Sequence, residues 1–465
     1  MNPHPHQLIA RDRALAAPGR RFVFGDEMGT GKTVQSCLVM QALQAQRSLI
    51  VTPALVRGHW LRRLDEWWAE HPPVGIIAAG RDNNSLTKKA QAAREAAHVA
   101  PIQVVSWNLL GEIDLDRQLD IIILDESQRI RKRTTQFSRN ARELVLRNPQ
   151  AAVLELTGTL MANRPSDAFN QLDTLCPGRF GSLTAFRKRY QIEEVSEYTT
   201  SGFKYHGLNT KNADELRRRI EAISTRVTRA EIAHLLPAFD VRPIYVTLPN
   251  SAPPVLSSSI DIAECLYGYG INKIPIVLDW YEGAAEVATH VAILTHHREL
   301  ARKVAAALEN RGLDRPVVLL DGYDAEKRGA MIQEVASMPG AVIVATMHSI
   351  GIGIDMTFAT RALCVELVDD LEVVLQAMGR FSRLSGTVPS SVEFLIAKGT
   401  IDEVIADHTL TKLRDINGAM KAGQTDSILS ASLSGDNARD WREELREAIV
   451  KSVELKSDYL EDDDE

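Results

Sequence analysis

Short apolar runs alternate with amphipathic stretches twice along this 465-residue chain, and that alternation leaves few folds open. In the first 170 residues, RFVF, SLIVT, IQVVSW, IIILDE and AAVLELTGT are dominated by Val, Ile and Leu. Such continuous runs suit strands buried on both faces. Between them, residues 56–70 and 135–146 carry the apolar spacing of amphipathic helices. Strands alternating with helices imply a parallel sheet covered on both sides. A second block repeats the pattern in VAILTH, RPVVLLDG, AVIVATM, RALCVEL and VEFLIAK. The expected class is α/β, with two doubly wound parallel-sheet domains at 1–170 and 289–420. A helical insertion and linker should fill 171–288, where LPNSAPPVLSSS reads as linker. A helical, acidic tail should follow over 421–465.

Composition is that of an ordinary globular chain, 45% hydrophobic and 25% charged. Cys37, Cys176, Cys265 and Cys364 stand far apart, so neither a disulfide framework nor a Cys/His metal site is expected. The start MNPHPHQLIARDRAL is too polar for a signal peptide, and no apolar run reaches the length of a membrane span. The expected location is cytoplasmic (nucleoid or phage-infected host), without membrane contact. The net charge of −7 sits in the tail: residues 436–465 hold 12 acidic and 5 basic groups, leaving 49 of each elsewhere. Overall acidity therefore says little against a basic nucleic-acid face on the body.

The stretch FVFGDEMGTGKT, Phe22 to Thr33, carries the first chemistry. A phosphate cradle needs converging backbone N–H groups, a helix N-terminus, a lysine for the β/γ charge and a hydroxyl for Mg²⁺. Asp26, Glu27, Met28, Gly29, Thr30, Gly31, Lys32 and Thr33 form the candidate loop, although Asp26 stands where the general pattern has its first glycine. A turn that binds nothing is the alternative. The strand IIILDESQ ends in Asp125 and Glu126, which places two carboxylates at the carboxyl end of a parallel sheet. Asp125 can hold Mg²⁺ with Thr33, and Glu126 can orient or deprotonate an attacking water. In QAMGRFSRLSG, Arg380 and Arg383 are three apart on a helical pattern and so share a face. Two such arginines suit the rising charge of a γ-phosphate, or else form a solvated basic face.

These pieces, with LTGTLMANRP between them, resemble helicase superfamily two. GDEMGTGKT is similar to the DEMGLGKT loop of Swi/Snf-type ATPases, which place Asp at this position. HPHQL resembles their adenine-reading segment, giving Gln7 the base contact. TPALVRGHWLRRLDEW looks like motif Ia, VVSWNLL like motif Ib, FGSLTAFRKRY like the segment after motif III, and TRVTRAEIAHLLPAF like the RRLKxDVLxxLPxK helix. KIPIV, THH, VEL and IAKGTID are similar to the annealing-helicase branch. Both domains would then be RecA-like. The resemblance implies ATP and Mg²⁺ as cofactors, Lys32, Asp125, Glu126, Gln376, Arg380 and Arg383 as catalytic, and Gly353 and Asp355 as further nucleotide contacts. Departures are Gln128 in DESQ for the common His, Leu160 for Pro, and Gly379 for the frequent Asp.

Such motors grip the phosphate backbone. Nucleic-acid candidates are Arg57, His59 and Trp60 in motif Ia; Arg129, Arg131, Lys132 and Arg133 after the Asp-Glu strand; and His296 and Thr346. The basic stretches FRKRY and ELRRRIEAI fit either DNA contact or packing. His296 and His297 are adjacent, so they point apart and suit a metal poorly. The expected function is an ATP-dependent translocase or helicase on double-stranded or branched DNA, acting as a monomer. A strand-separating or RNA-directed helicase, or a nucleotide-gated binding protein, stays open. The acidic tail is a candidate contact for a protein partner, or a competitor with DNA for the basic cleft.

Overall fold

The computed structural model describes residues 2–77, 95–114, 117–161, 164–195, 203–229, 231–248, 262–312, 315–321, 325–338, 340–350, 354–368, 370–384, 386–400 and scattered positions from 402 to 409. Gly353 and the expected tail lie outside them. The chain divides into two compact units: Met1–Ile232 with Asp415–Thr425, and Ala233–Arg414 with Asp426–Glu465.

In the first unit the strands are β1 (Arg21–Phe24), β2 (Ser48–Thr52), β3 (Val74–Ile76), β4 (Ile102–Ser106), β5 (Ile121–Asp125), β6 (Ala152–Leu156) and β9 (Ser224–Thr225). They form one parallel sheet in the order β3-β4-β2-β5-β6-β1-β9. Because side chains alternate across a strand, neighbours serve opposite cores. Phe22, Phe24, Ile50, Ile121, Ile123 and Leu154 face one core. It is closed by α1 (Pro5–Ala16), α2 (Lys32–Ala42) and α3 (Arg57–Trp67) through Ala10, Met40, Trp60 and Leu64. Val23, Val51, Ile122, Leu124 and Val153 face the other. There α4 (Gln136–Arg147), α5 (Phe169–Leu175) and α6 (Leu183–Tyr190) pack by Leu144, Leu172 and Phe186. The sequence sets where these helices start: Thr135 and Ser182 accept the Ser138 and Ala185 N–H groups as N-caps of α4 and α6.

The region expected as a helical insertion is shared between the units and is not wholly helical. Strands β7 (Gln191–Val195) and β8 (Phe203–Leu208) pair antiparallel between α6 and α7 (Thr210–Glu221). Arg189 and Tyr190 of α6 bind Glu215 of α7, the Tyr190 hydroxyl donating at 2.7 Å. Of that part of FRKRY, Tyr190 is buried and Arg189 stays exposed beside Glu215. The long helix α8 (Ile262–Val287) joins the second unit's core through Val277, Tyr281 and Ala284.

The second unit holds β10 (Phe239–Val246), β11 (Val291–Thr295), β12 (Val317–Leu320), β13 (Val342–Thr346), β14 (Arg361–Cys364) and β15 (Ser390–Ala397). They form a parallel sheet in the order β10-β15-β14-β11-β13-β12. Its helices are α9 (Arg298–Asn310), α10 (Ala325–Ala336), α11 (Met347–Ile350) and α12 (Leu371–Met378). Lys273 of α8 is buried, 2.5 Å from Asp402, and donates to the Val365 and Leu395 carbonyls at 2.7 Å. The KIPIV and IAKGTID stretches are thus held together by one ion pair.

One residue opposes this packing. Glu155, on β6 between Val23 and Leu124, is buried, and among the described residues neither carboxyl oxygen has a partner within good hydrogen-bond geometry. Burial raises its pKa well above the ordinary glutamate range, and the nearby Ser127 hydroxyl opposes the shift. A raised folded pKa means that the folded chain keeps a proton which the unfolded chain releases. Stability therefore falls as pH climbs through the ordinary glutamate range, by about 1.4 kcal/mol per pH unit until the folded pKa is reached. Glu155→Leu is expected to raise the thermal midpoint at pH 8 clearly more than at pH 5. Equal shifts at the two pH values in thermal unfolding would refute the assignment.

Candidate nucleotide site

The loop between β1 and α2 adopts backbone shapes that its glycines permit. Gly29 and Gly31 have φ of 82° and 95°, the left-handed region where a side chain is strained. Gly31 is the N-cap of α2, so Lys32 and Thr33 begin the helix and its free N–H groups point into the loop. Lys32 Nζ donates to the Asp26 carbonyl at 2.7 Å and the Glu27 carbonyl at 3.1 Å. Burial lowers the Lys32 pKa, while Glu126, Asp26 and Asp125 oppose the shift. Gly158, of LTGT, packs here: a Cβ on it would lie 3.0 Å from Met28 Cγ and 3.8 Å from Lys32 Nζ.

Asp26 is fully buried, and both carboxylate oxygens are taken. Oδ2 accepts from Gln35 Nε2 of α2 at 2.6 Å, and Oδ1 from the Val227 N–H at 2.8 Å. Its side chain braces the loop from behind and leaves phosphate contact to the backbone. Glu27 is used similarly: its carboxylate accepts from the Arg229 N–H at 2.7 Å and meets Arg226 at 3.4 Å. Arg226 donates to the Gly25 and Gly158 carbonyls, and Arg229 to that of Met28. Thr30 closes the turn on the Glu27 carbonyl at 2.8 Å. Gln7 is 1% exposed. Its amide accepts from the His4 N–H at 2.9 Å and donates to the Thr30 carbonyl at 3.4 Å. Gln7 thus fastens α1 to the loop, beside His6, which also meets the Thr30 carbonyl.

Asp125 ends β5. Its Oδ2 accepts from Thr52 Oγ1 at 2.7 Å and Trp60 Nε1 at 2.9 Å, and its carbonyl accepts from Trp107 Nε1 at 2.9 Å. Burial, then the neighbouring Glu126, pushes its pKa up, against these two side-chain donors and Lys32. Among the described residues no hydrogen bond reaches Oδ1. A hard cation takes oxygen ligands, so that oxygen, with the Thr33 hydroxyl, fits Mg²⁺. Glu126 has φ 54° and ψ 52°, a left-handed backbone rare outside glycine. That turn takes its side chain off the strand direction, and Oε2 accepts from Gln128 Nε2 at 2.7 Å. Gln128 Oε1 accepts from Thr157 Oγ1 at 2.9 Å, and Thr157 accepts from the Thr159 N–H. Gln128, where the family commonly has His, thus bridges Glu126 to LTGT. Ser127 donates to Gln171, which in turn holds the Leu160 carbonyl.

The second unit carries the arginines. The helix bearing Gln376 ends at Met378, so Arg380 and Arg383 stand in the turn beyond it, contrary to the expected shared helix face. Gly379 and the Ser-containing segment after it favour that exit. Arg380 is buried, and its carbonyl accepts from the Met356 N–H. Arg383 donates to the Ile354 carbonyl at 2.9 Å and lies 4.0 Å from Asp355. Asp355 also accepts from both the N–H and the hydroxyl of Thr357.

Two nucleic-acid candidates prove to be internal. Trp60 is 0% exposed and spends its indole N–H on Asp125, because α3 turns it and Leu64 towards the sheet. Thr346 is buried at the end of β13, its hydroxyl accepting from the Ser349 N–H. Arg57 and His59 remain partly accessible on α3; Arg57 Nε donates to the Ala54 carbonyl, and His59 accepts from Arg63. Lys132 and Arg133 are exposed, with Arg129 and Arg131 half-buried. His296 is half-buried, its N–H donating to Glu366 at 2.7 Å, with His297 and His348 rings at 4.7 and 5.6 Å. Burial, then His297, lowers its pKa. Thr52, Trp107, Gln35, Arg226 and Arg229 were not anticipated. The two tryptophans left a usable sign, since a buried indole N–H requires an acceptor.

A glycine loop between strand and helix, beside paired carboxylates at the carboxyl end of a parallel sheet, defines a phosphate-loop α/β core. Within that class, the chain belongs to the SNF2-related family, whose SNF2-related domain model matches residues 15–254. It is 24% identical over 432 residues to SWI/SNF-related matrix-associated actin-dependent regulator of chromatin subfamily A-like protein 1 of Xenopus tropicalis, covering 87% of this chain and 43% of that protein. It is 25% identical over 456 residues to the DNA annealing helicase and endonuclease ZRANB3 of Bos taurus, covering 91% and 41%. The chain thus spans about two fifths of the length of these relatives. A solved Sulfolobus solfataricus SWI2/SNF2 ATPase core in complex with dsDNA is similar at TM-score 0.41 and 18% identity, covering 90% of this chain and 97% of that one. Among the described residues, no helix is long and apolar enough to cross a membrane.

Proposed function

We propose that this protein is an ATP-dependent DNA translocase, converting ATP hydrolysis into movement on duplex or branched DNA. The observation carrying this reading is the joint bracing of Lys32, Asp125 and Glu126 within one unit, each by a different motif segment. Preorganised charges of this kind are what phosphoryl transfer requires. Lys32 exchanges its loop carbonyls for the β/γ-phosphate oxygens. Glu126, held by Gln128, orients water and accepts its proton. Bound Mg²⁺ would neutralise phosphate charge, with Asp125 Oδ1 and Thr33 as its protein partners. Arg380 and Arg383 serve as arginine fingers, Asp355 holding Arg383 until phosphate competes for it. Gln376 and Gly353 complete the nucleotide contacts of the second unit. Arg57, His59, Arg129, Arg131, Lys132, Arg133 and His296 supply sequence-blind contacts to nucleic acid. DNA is favoured because the matched relatives include a DNA annealing helicase and endonuclease. The tail is a further partner surface.

ATP hydrolysis measured with duplex, forked and single-stranded DNA and with RNA tests this. Duplex or forked DNA is expected to accelerate turnover most, with the gain falling steeply as salt rises. Stimulation by RNA alone would reassign the substrate, and absence of stimulation by any DNA would remove the translocase reading.

A further inference from the structure

Asp125 is gripped from segments that have no direct part in nucleotide chemistry. Thr52 ends β2, Trp60 sits on α3, and Trp107 follows β4. All three are buried, at 0%, 0% and 1% exposure. Thr52 and Trp60 both act on Oδ2, so they fix the rotation of the carboxylate and with it the direction of Oδ1. Only residues 53–56 separate Thr52 from α3, and a short 3₁₀ turn over Ala54–Val56 fills most of that gap. α3 thus follows β2 after a short turn, while Trp60 reaches from it to the end of β5. Away from Trp60, α3 exposes Arg62 together with Asp65 and Glu66, and Arg57 and His59 are half-buried at its N-terminal end.

We propose that Trp60 is a positioning residue through which α3 couples nucleic-acid contact to the metal-binding direction of Asp125. The inference rests on the nucleotide and DNA reading above. An indole is rigid and has a single N–H, so a small shift of α3 lengthens or shortens one bond to one oxygen. Phosphates taken by His59 and Arg62 at the first two turns of α3 seat the helix, shorten that bond and present Oδ1 to the ion. Coupling between sites is reciprocal: DNA tightens divalent-ion binding, and the ion tightens DNA.

The test uses Mn²⁺ as probe, with the full chain and a non-hydrolysable ATP analogue. Bound Mn²⁺ is read by electron paramagnetic resonance with and without short duplex DNA. In the parent protein, DNA is expected to tighten Mn²⁺ by about fivefold or more, the lower end of ordinary coupling between sites. Trp60→Phe keeps the ring and removes the N–H; it is expected to abolish that tightening while the unfolding midpoint stays near the parent value. If Trp60→Phe does not fold, the double variant His59→Ala/Arg62→Ala keeps the Trp60–Asp125 bond, removes the cations that carry the load and is expected to lose the tightening at saturating DNA. A DNA-induced shift of parental size in the folded variant overturns the proposal, as does a parent protein that binds both ligands without any shift. A parent that fails to bind the ATP analogue at all overturns the underlying nucleotide reading instead, which separates the two failures.

Discussion

Glu126→Gln is expected to bind ATP about as tightly as the parent while turning it over roughly 10²–10⁴-fold more slowly, the usual contribution of a positioned general base. The amide keeps the size of the side chain and can still pair with Gln128, so the loop geometry survives. What it loses is the capacity to accept a proton from water. The left-handed backbone at Glu126 supports the assignment, since strained conformations persist where surrounding structure holds them for a purpose. Nucleotide affinity by calorimetry and steady-state hydrolysis read the two halves separately. A variant that hydrolyses ATP at the parental rate ends the role given to Glu126. One that no longer binds ATP shows the residue to be structural.

Asp26→Gly would restore the first glycine of the general phosphate-loop pattern, yet it is expected to damage this protein. The substitution leaves the buried Gln35 amide and the half-buried Val227 N–H without their acceptor. A buried polar group deprived of a partner costs about 1–3 kcal/mol and the half-buried one less, so a loss of about 2–4 kcal/mol in unfolding free energy follows. Nucleotide affinity should fall as well, because the loop loses its tie to α2 through Gln35 and one of its bonds to the segment 225–229. Asp26→Asn should be milder. Gln35 Oε1 has no partner at present, and a flipped Gln35 amide could accept from the new Asn N–H₂. Denaturant unfolding with nucleotide titration checks both variants; a glycine variant of parental stability and affinity would show that the bracing contributes nothing.

Much of the site was legible before any coordinates. The loop glycines announce themselves because few other residues tolerate positive φ, and both parallel sheets are written in continuous Val, Ile and Leu runs. The paired carboxylates were also visible, since they follow directly on the apolar strand IIILDE. What misled was direction. Trp60 sits in a basic, motif-like stretch and reads as a surface contact, but α3 rotates it onto the sheet beneath Asp125. Thr346 likewise follows a strand and reads as a loop contact, but its hydroxyl is consumed by the helix that begins at Met347. Gln7 and Asp26 also spend their side chains on the loop itself, Gln7 on the Thr30 carbonyl and Asp26 on Gln35 and the Val227 N–H, contacts that no spacing announces. Arg226 and Arg229 went unnoticed because about 200 residues separate them from the loop they hold.

The sequence by itself determined the strand and helix alternation, the phosphate-loop chemistry and the presence of two α/β blocks, because each is set by local periodicity or by a short motif. Only the tertiary structure decided which polar groups brace the loop and the paired carboxylates. That depends on which buried donor meets which acceptor across distant segments. A hydrogen bond between Trp60 and Asp125, or between Val227 and Asp26, is formed by the fold alone and leaves no fixed spacing to read.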